Sequence, residues 1–179
     1  PHSRGLGSSA SAIVAGVTLA RALIGDADVL GRQEILEIGS QMEGHPDNVA
    51  PAVFGGATVS WMNEETSEVG SVRLTPPEGI SPVAFIPDFE LRTAAARAAL
   101  PATVPHGDAS FNVARGALLA AVLSGNAQAS GGADLHALLM EATRDRLHQE
   151  QRRAAMEPSL ALVDWLRGAG FAAVVSGAG

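Results

Sequence analysis

A glycine-rich turn that runs straight into a long helical pattern leaves the backbone few choices, and this chain opens on one. Pro1-His2-Ser3-Arg4-Gly5-Leu6-Gly7-Ser8-Ser9-Ala10 is followed by Ala10, Ile13, Val14, Val17, Leu19 and Ala20 at helical spacing as far as Ile24. Gly5 and Gly7 can take positive φ and let the backbone approach a ligand closely. The first amides of the helix have no intrahelical partner, and the dipole there favours an anion. Ser8 and Ser9 add hydroxyls able to cap the helix, bond a phosphate oxygen or enter the shell of a magnesium ion. A capped surface helix after a flexible turn is the competing reading of the same residues.

Composition narrows the choice. All 12 basic residues are Arg and the chain has no Lys. A Walker loop needs Gly-Lys-Ser/Thr and a pyridoxal Schiff base needs Lys, so this stretch holds neither. Any phosphate must be held by backbone amides, hydroxyls, Arg or a metal. Cys is absent, which removes disulfides, thiolate metal sites and thiol nucleophiles. A net charge of -7 argues against a nucleic-acid partner, which calls for a basic surface. No apolar run reaches the roughly 18 residues of a membrane span, so no membrane partner is expected. The 179 residues with 46% hydrophobic content suffice for one domain or two small ones. With no initiator Met and a motif at each end, the chain reads as a piece of a longer protein.

After Gly25-Asp26 a second helix is expected from Gly31-Arg32 to about Met42, with Ile35, Leu36, Ile38 and Gly39 on its apolar face and Glu34, Glu37 and Glu43 as its acids. Next comes Glu43-Gly44-His45-Pro46-Asp47-Asn48-Val49-Ala50-Pro51, a proline-stiffened loop or helix start. It can be a plain Asx turn, or a rigid loop presenting His, Asp and Asn to a polar substrate. Gly55–Met62 and Val69–Leu74 read as the strands of a hairpin around the polar turn 63–68, and Pro76-Pro77-Glu78-Gly79 reads as a linker. Beyond it the expectations are a buried strand at Val83–Pro87, a helix over Leu91–Leu100, and a helix from about Ala109 to Leu123 capped by Asp108. Helical segments at 135–140, 145–153 and 158–167 and a strand at 171–175 complete the pattern.

The string Pro-x-x-x-Gly-Leu-Gly-Ser-Ser-Ala resembles the phosphate-binding loop of the GHMP kinases. The His45-Pro46-Asp47-Asn48 group, followed by Pro51-Ala52-Val53-Phe54-Gly55-Gly56, is similar to the homoserine kinase branch, and so is Asp145-Arg146-Leu147-His148-Gln149-Glu150-Gln151-Arg152. The terminal Ser176-Gly177-Ala178-Gly179 resembles the start of a third, glycine-rich GHMP motif. The resemblance implies an α+β GHMP fold of two subdomains. Residues 1–78 would be the end of an S5-like ATP-binding domain, and residues 79–179 most of a ferredoxin-like C-terminal domain.

The resemblance also implies ATP and Mg2+ as cofactors and transfer of phosphate to the hydroxyl of L-homoserine, giving O-phospho-L-homoserine for threonine biosynthesis. Pro1, Ser3, Arg4, Gly5, Leu6, Gly7, Ser8, Ser9 and Ala10 would bind the nucleotide. Ser9 and Glu37 would hold the metal. His45, Asp47, Asn48 and Arg152 would orient the amino acid, and Asp47 would act as an orienting group or a general base. Phe111, Asn112 and Arg115 are read as domain packing. A cytoplasmic enzyme with a small-molecule substrate, able to form a homodimer and inactive as this piece alone, is the resulting expectation. Another GHMP kinase such as a mevalonate kinase, and a non-catalytic GHMP-fold binding or sensor protein, are the alternatives.

Overall fold

The computed structural model describes residues 3–25, 30–91 and 93–177. The chain splits into two compact units, one of Gly7–Thr75 and one of Pro1–Leu6 with Pro76–Gly179. Helices and strands are both present, so the architecture is α+β as expected.

The Gly7–Thr75 unit holds three helices, α1 (Ser8–Ile24), α2 (Arg32–Glu43) and α3 (Val49–Phe54), and a hairpin of β1 (Ala57–Met62) and β2 (Val69–Leu74). Left-handed glycines end the two longer helices: Gly25 closes α1 at φ 78° and Gly44 closes α2 at φ 84°, its N–H bonded to Ser40 O. The hairpin is antiparallel, with Ala57 opposite Leu74 and Met62 opposite Val69. Its polar turn is built by Asn63, whose side-chain oxygen accepts from the N–H groups of Glu65 and Thr66 at 2.8 and 3.0 Å. Ala10, Leu36, Val49, Ala50 and Val69 form the core, with Val14, Val53, Phe54 and Met62 packed on it. Gly39 sets how closely the helices approach, because a Cβ there would lie 2.7 Å from Val49 Cγ1 and 3.8 Å from Ile13 Cγ2. Only a residue without a side chain lets α2 sit this near α1 and α3.

The second unit contains α4 (Thr93–Ala98), α5 (His106–Leu123), α6 (Leu135–Ala142), a 3-10 helix (Glu150–Ala155) and α7 (Glu157–Gly168). Met156, Leu160 and Val163 make its core, joined by Phe89, Leu91, Ala173 and Val175. Four sequence expectations change here. Residues 83–87 and 171–175 form no regular element and pair in no sheet among the described residues, and Val83, Phe85, Ile86, Phe171 and Val174 are exposed. Apolar β-formers need a hydrogen-bonding neighbour before they become a strand.

Helix α5 starts at His106 after Pro105, so Asp108 lies within the first turn and pairs with Arg146 at 3.3 Å instead of capping. There its charge still favours the helix N-terminus. Segment 145–153 is not one helix, because Asp145 captures the N–H groups of His148 and Gln149 at 2.8 and 2.7 Å and turns the chain.

Asp145 also accepts from Asn112 Nδ2 at 2.7 Å, and Gln149 Oε1 accepts from Val175 N–H at 2.8 Å. One carboxylate thus joins α5 to the turn before the 3-10 helix, and Gln149 carries the link to segment 171–175. Burial alone would raise the Asp145 pKa, but the bonds from Gln149, Asn112 and His148 outweigh it and hold the group well below the usual carboxylate range. The Phe111 ring is flanked by the guanidinium groups of Arg115 and Arg146, each 3.9 Å from its centroid. Phe111, Asn112 and Arg115 are therefore packing and positioning groups of this unit.

Candidate active site

The opening loop has an alternating backbone. Ser3, Gly5 and Gly7 take positive φ of 54°, 65° and 63°, while Arg4 and Leu6 between them do not. Alternation of this kind turns successive main-chain N–H groups toward one side and forms an anion-binding concavity. A left-handed conformation at the non-glycine Ser3 costs roughly 1–2 kcal/mol. Pro1, expected at the same site, lies outside the described residues.

Gly7 is the residue before α1, and no side chain caps the helix there. Ser8 and Ser9 are the first helical residues, not caps, and the fully buried Ala10 pins the first turn to the core. The first-turn amides keep the character that favours an anion.

Ser9 Oγ donates to Glu43 Oε2 at 2.8 Å. Glu37, expected beside Ser9, accepts at Oε1 from Gln33 Nε2 at 2.9 Å. Six residues along α2 rotate a side chain by about 600°, leaving Glu37 and Glu43 roughly 120° apart. Glu43 follows the buried Leu36 by seven positions and Gly39 by four, so it shares the stripe packed toward α1. That stripe was present in the sequence and accounts for the contact of Glu43 with Ser9.

The 45–48 loop closes the same region. A Cβ on Gly7 would lie 3.0 Å from Asn48 Oδ1 and 3.4 Å from Asn48 Cβ, so the Asn48 side chain rests against the first residue before α1. His45 Nδ1 donates to Asp47 Oδ1 at 2.6 Å, and Asn48 N–H donates to the same oxygen at 3.0 Å. With Nδ1 carrying the shared proton, a neutral His45 ring has its lone pair on Nε2. Ala50 N–H bonds Pro46 O at 2.9 Å, which fixes the entry into α3. Within this one unit the structure brings together Gly7, Ser8, Ser9, Ala10, Glu43, His45, Asp47 and Asn48.

Arg4 and Arg152 belong to the other unit. Arg4 Nε donates to Pro87 O at 2.7 Å and its Nη2 to Asp88 O at 3.0 Å. Arg152 Nε donates to Ala96 O and its Nη1 to Gly177 O, both at 3.1 Å.

Ser9 Oγ and Glu43 Oε2 supply two hard oxygens 2.8 Å apart, which fits magnesium, an ion that takes few protein ligands and fills its octahedron with water and phosphate oxygens. No cluster of three or more His, Asp or Glu suited to a metal occurs among the described residues, so the fit is to such a sparse shell and not to an all-protein cage. No described helix is long and apolar enough to cross a membrane.

Residues 1–56 match the GHMP kinases N terminal domain. The whole chain aligns with a homoserine kinase of Clavibacter michiganensis at 45% identity, covering 53% of that protein. It also aligns with one of Streptomyces coelicolor at 47% identity, covering 55% of that protein. The chain thus spans about half the length of the curated relatives it matches.

Among solved structures, the homoserine kinase of Cytophaga hutchinsonii superposes over the whole chain, and 55% of its own, with a TM-score of 0.79 at 22% identity. That likeness bears on the fold alone. A structure described as a putative homoserine kinase of Listeria monocytogenes covers the whole chain and 56% of its own with a TM-score of 0.67 at 34% identity. By its opening loop and its matched N-terminal segment, the chain is similar to the GHMP kinases over residues 1–56.

Proposed function

We propose that the protein carrying this chain is an ATP-dependent homoserine kinase. One observation carries the reading: the amide-rich start of α1, the Ser9–Glu43 pair and the His45–Asp47–Asn48 loop meet within a single compact unit. Phosphoryl transfer asks an enzyme mainly to position its reactants and stabilise charge. Relatives named homoserine kinase, at 43% to 47% identity, support the same substrate.

In this reading the amides of residues 5–10 hold the triphosphate, with Ser3, Arg4, Gly5, Leu6 and Gly7 shaping the loop and Ser8, Ser9 and Ala10 opening the helix. Ser9 and Glu43 would hold a magnesium ion, which supplies charge neutralisation on the phosphates. Glu37 is left as a support of α2 through Gln33. His45, Asp47 and Asn48 orient the amino acid so that its hydroxyl lies in line with the γ-phosphate. Asp47 is exposed, and its Oδ1 is already shared by His45 and Asn48, which favours an orienting role over that of general base. Arg152 offers a planar fork suited to a carboxylate, and through Ala96 and Gly177 it also braces its own unit.

Residues 1–78 form the end of the ATP-binding domain and 79–179 part of the C-terminal domain. The product is O-phospho-L-homoserine, made for threonine biosynthesis by a cytoplasmic enzyme able to form a homodimer. The test is ADP release by the full-length protein over a panel of alcohols that includes L-homoserine and mevalonate. Homoserine-dependent ADP release is the expected result, and its absence overturns the proposal.

A further inference from the structure

We propose that Arg4 is a positioning residue, clamping the leading half of the anion loop through the Pro87 and Asp88 carbonyls so that residues 3–5 keep their alternating backbone. The inference rests on the nucleotide-binding reading above and deepens it. An Arg at the lip of a phosphate loop would ordinarily be assigned to the phosphates themselves. Here its guanidinium uses two different nitrogens on two successive carbonyls, at 2.7 and 3.0 Å, with the Glu90 carboxylate 3.9 Å from a third. The side chain is only 19% exposed.

The residues on either side are gripped as well. Leu91 N–H donates to Ser3 O at 3.1 Å, and Ser176 Oγ donates to Gly5 O at 2.6 Å. Three consecutive loop residues are thus held by groups far away in sequence, all within the same unit. Ser3 and Gly5 are two of the positive-φ residues of the loop. A strained non-glycine conformation such as that of Ser3 persists only where its surroundings over-determine it. Both carbonyls of those residues being engaged directs the loop's bonding capacity toward its amides, the groups an anion needs.

The experiment compares the full-length protein with Arg4→Ala, Arg4→Lys and Ser176→Ala, reading KM for ATP, KM for homoserine, kcat, and ADP binding by calorimetry. Arg4→Ala is expected to raise KM for ATP and Kd for ADP about tenfold, the size of one charge-assisted hydrogen bond, while kcat and KM for homoserine move less than about twofold. Arg4→Lys keeps the charge but cannot span two carbonyls, and it is expected to recover less than half of that loss. Ser176→Ala is expected to shift the same two nucleotide constants in the same direction.

Unchanged nucleotide constants in Arg4→Ala, or full recovery in Arg4→Lys, would overturn the clamp. If Arg4→Ala does not fold, Ser176→Ala decides: raised nucleotide constants support the clamp and unchanged ones refute it. Calorimetry separates the two proposals, because ADP binding reports on the loop even if homoserine proves not to be the acceptor.

Discussion

Exchanging the charge of one α2 carboxylate at a time gives the sharpest test of the metal assignment. Glu43→Gln keeps an oxygen that can accept from Ser9 Oγ, now 2.8 Å from the carboxylate, so the local packing is preserved while the charge is lost. Two unit charges about 4 Å apart interact by about 4 kcal/mol at an effective dielectric near 20. Ser9 is exposed and Glu43 half-buried, so salt and water screen part of this. Retaining half leaves about 2 kcal/mol, or about 30-fold in magnesium affinity.

Glu37→Gln perturbs a carboxylate whose side-chain partner is Gln33 and is expected to change magnesium affinity by less than about twofold. The assay is turnover of the full-length protein against magnesium concentration, at saturating ATP and homoserine, with thermal melting as a check on folding. A 30-fold rise in half-saturating magnesium for Glu43→Gln alone is the expected result. If Glu37→Gln carried the rise and Glu43→Gln did not, the geometric argument from the α2 stripe would fail.

Three further outcomes follow from particular contacts. Gly7→Ala forces a side chain onto a φ of 63° and places its Cβ 3.0 Å from Asn48 Oδ1; kcat/KM should fall about 5- to 30-fold, as strain of about 1–2 kcal/mol is added where the loop meets the helix. Gly39→Ala puts a methyl 2.7 Å from Val49 Cγ1, so overpacking of about 1–3 kcal/mol should outweigh a helix-propensity gain of about 1. Urea unfolding should show the loss, with partial recovery in the Gly39→Ala, Val49→Ala double variant. Asp145 has a depressed native pKa, so its stabilisation is present above the ordinary value of 3.8 and is lost as pH falls below it. Asp145→Asn should therefore destabilise by about 1–3 kcal/mol at neutral pH, with the gap from the unsubstituted protein closing below about pH 4 in urea titrations.

What could be read from the chain alone was whatever depends on neighbours in sequence. The glycines at 5 and 7, the 3.6-residue stripes of α1 and α2 and the polar turn at 63–68 act through local backbone chemistry, so those elements and the anion-seeking loop were legible before any contact was known. The resemblance of the loop and of His45-Pro46-Asp47-Asn48 to GHMP kinases rested on the same short strings.

Tertiary structure decided the rest, because long-range partners are chosen by packing and not by spacing along the chain. Contact of α2 with α1 selected Glu43 for Ser9. Arg4, which reads from sequence as a phosphate ligand, was drawn to carbonyls more than 80 positions away. Residues 83–87 and 171–175 have the composition of strands but pair with no described neighbour, since a strand exists only through the hydrogen bonds that another segment supplies.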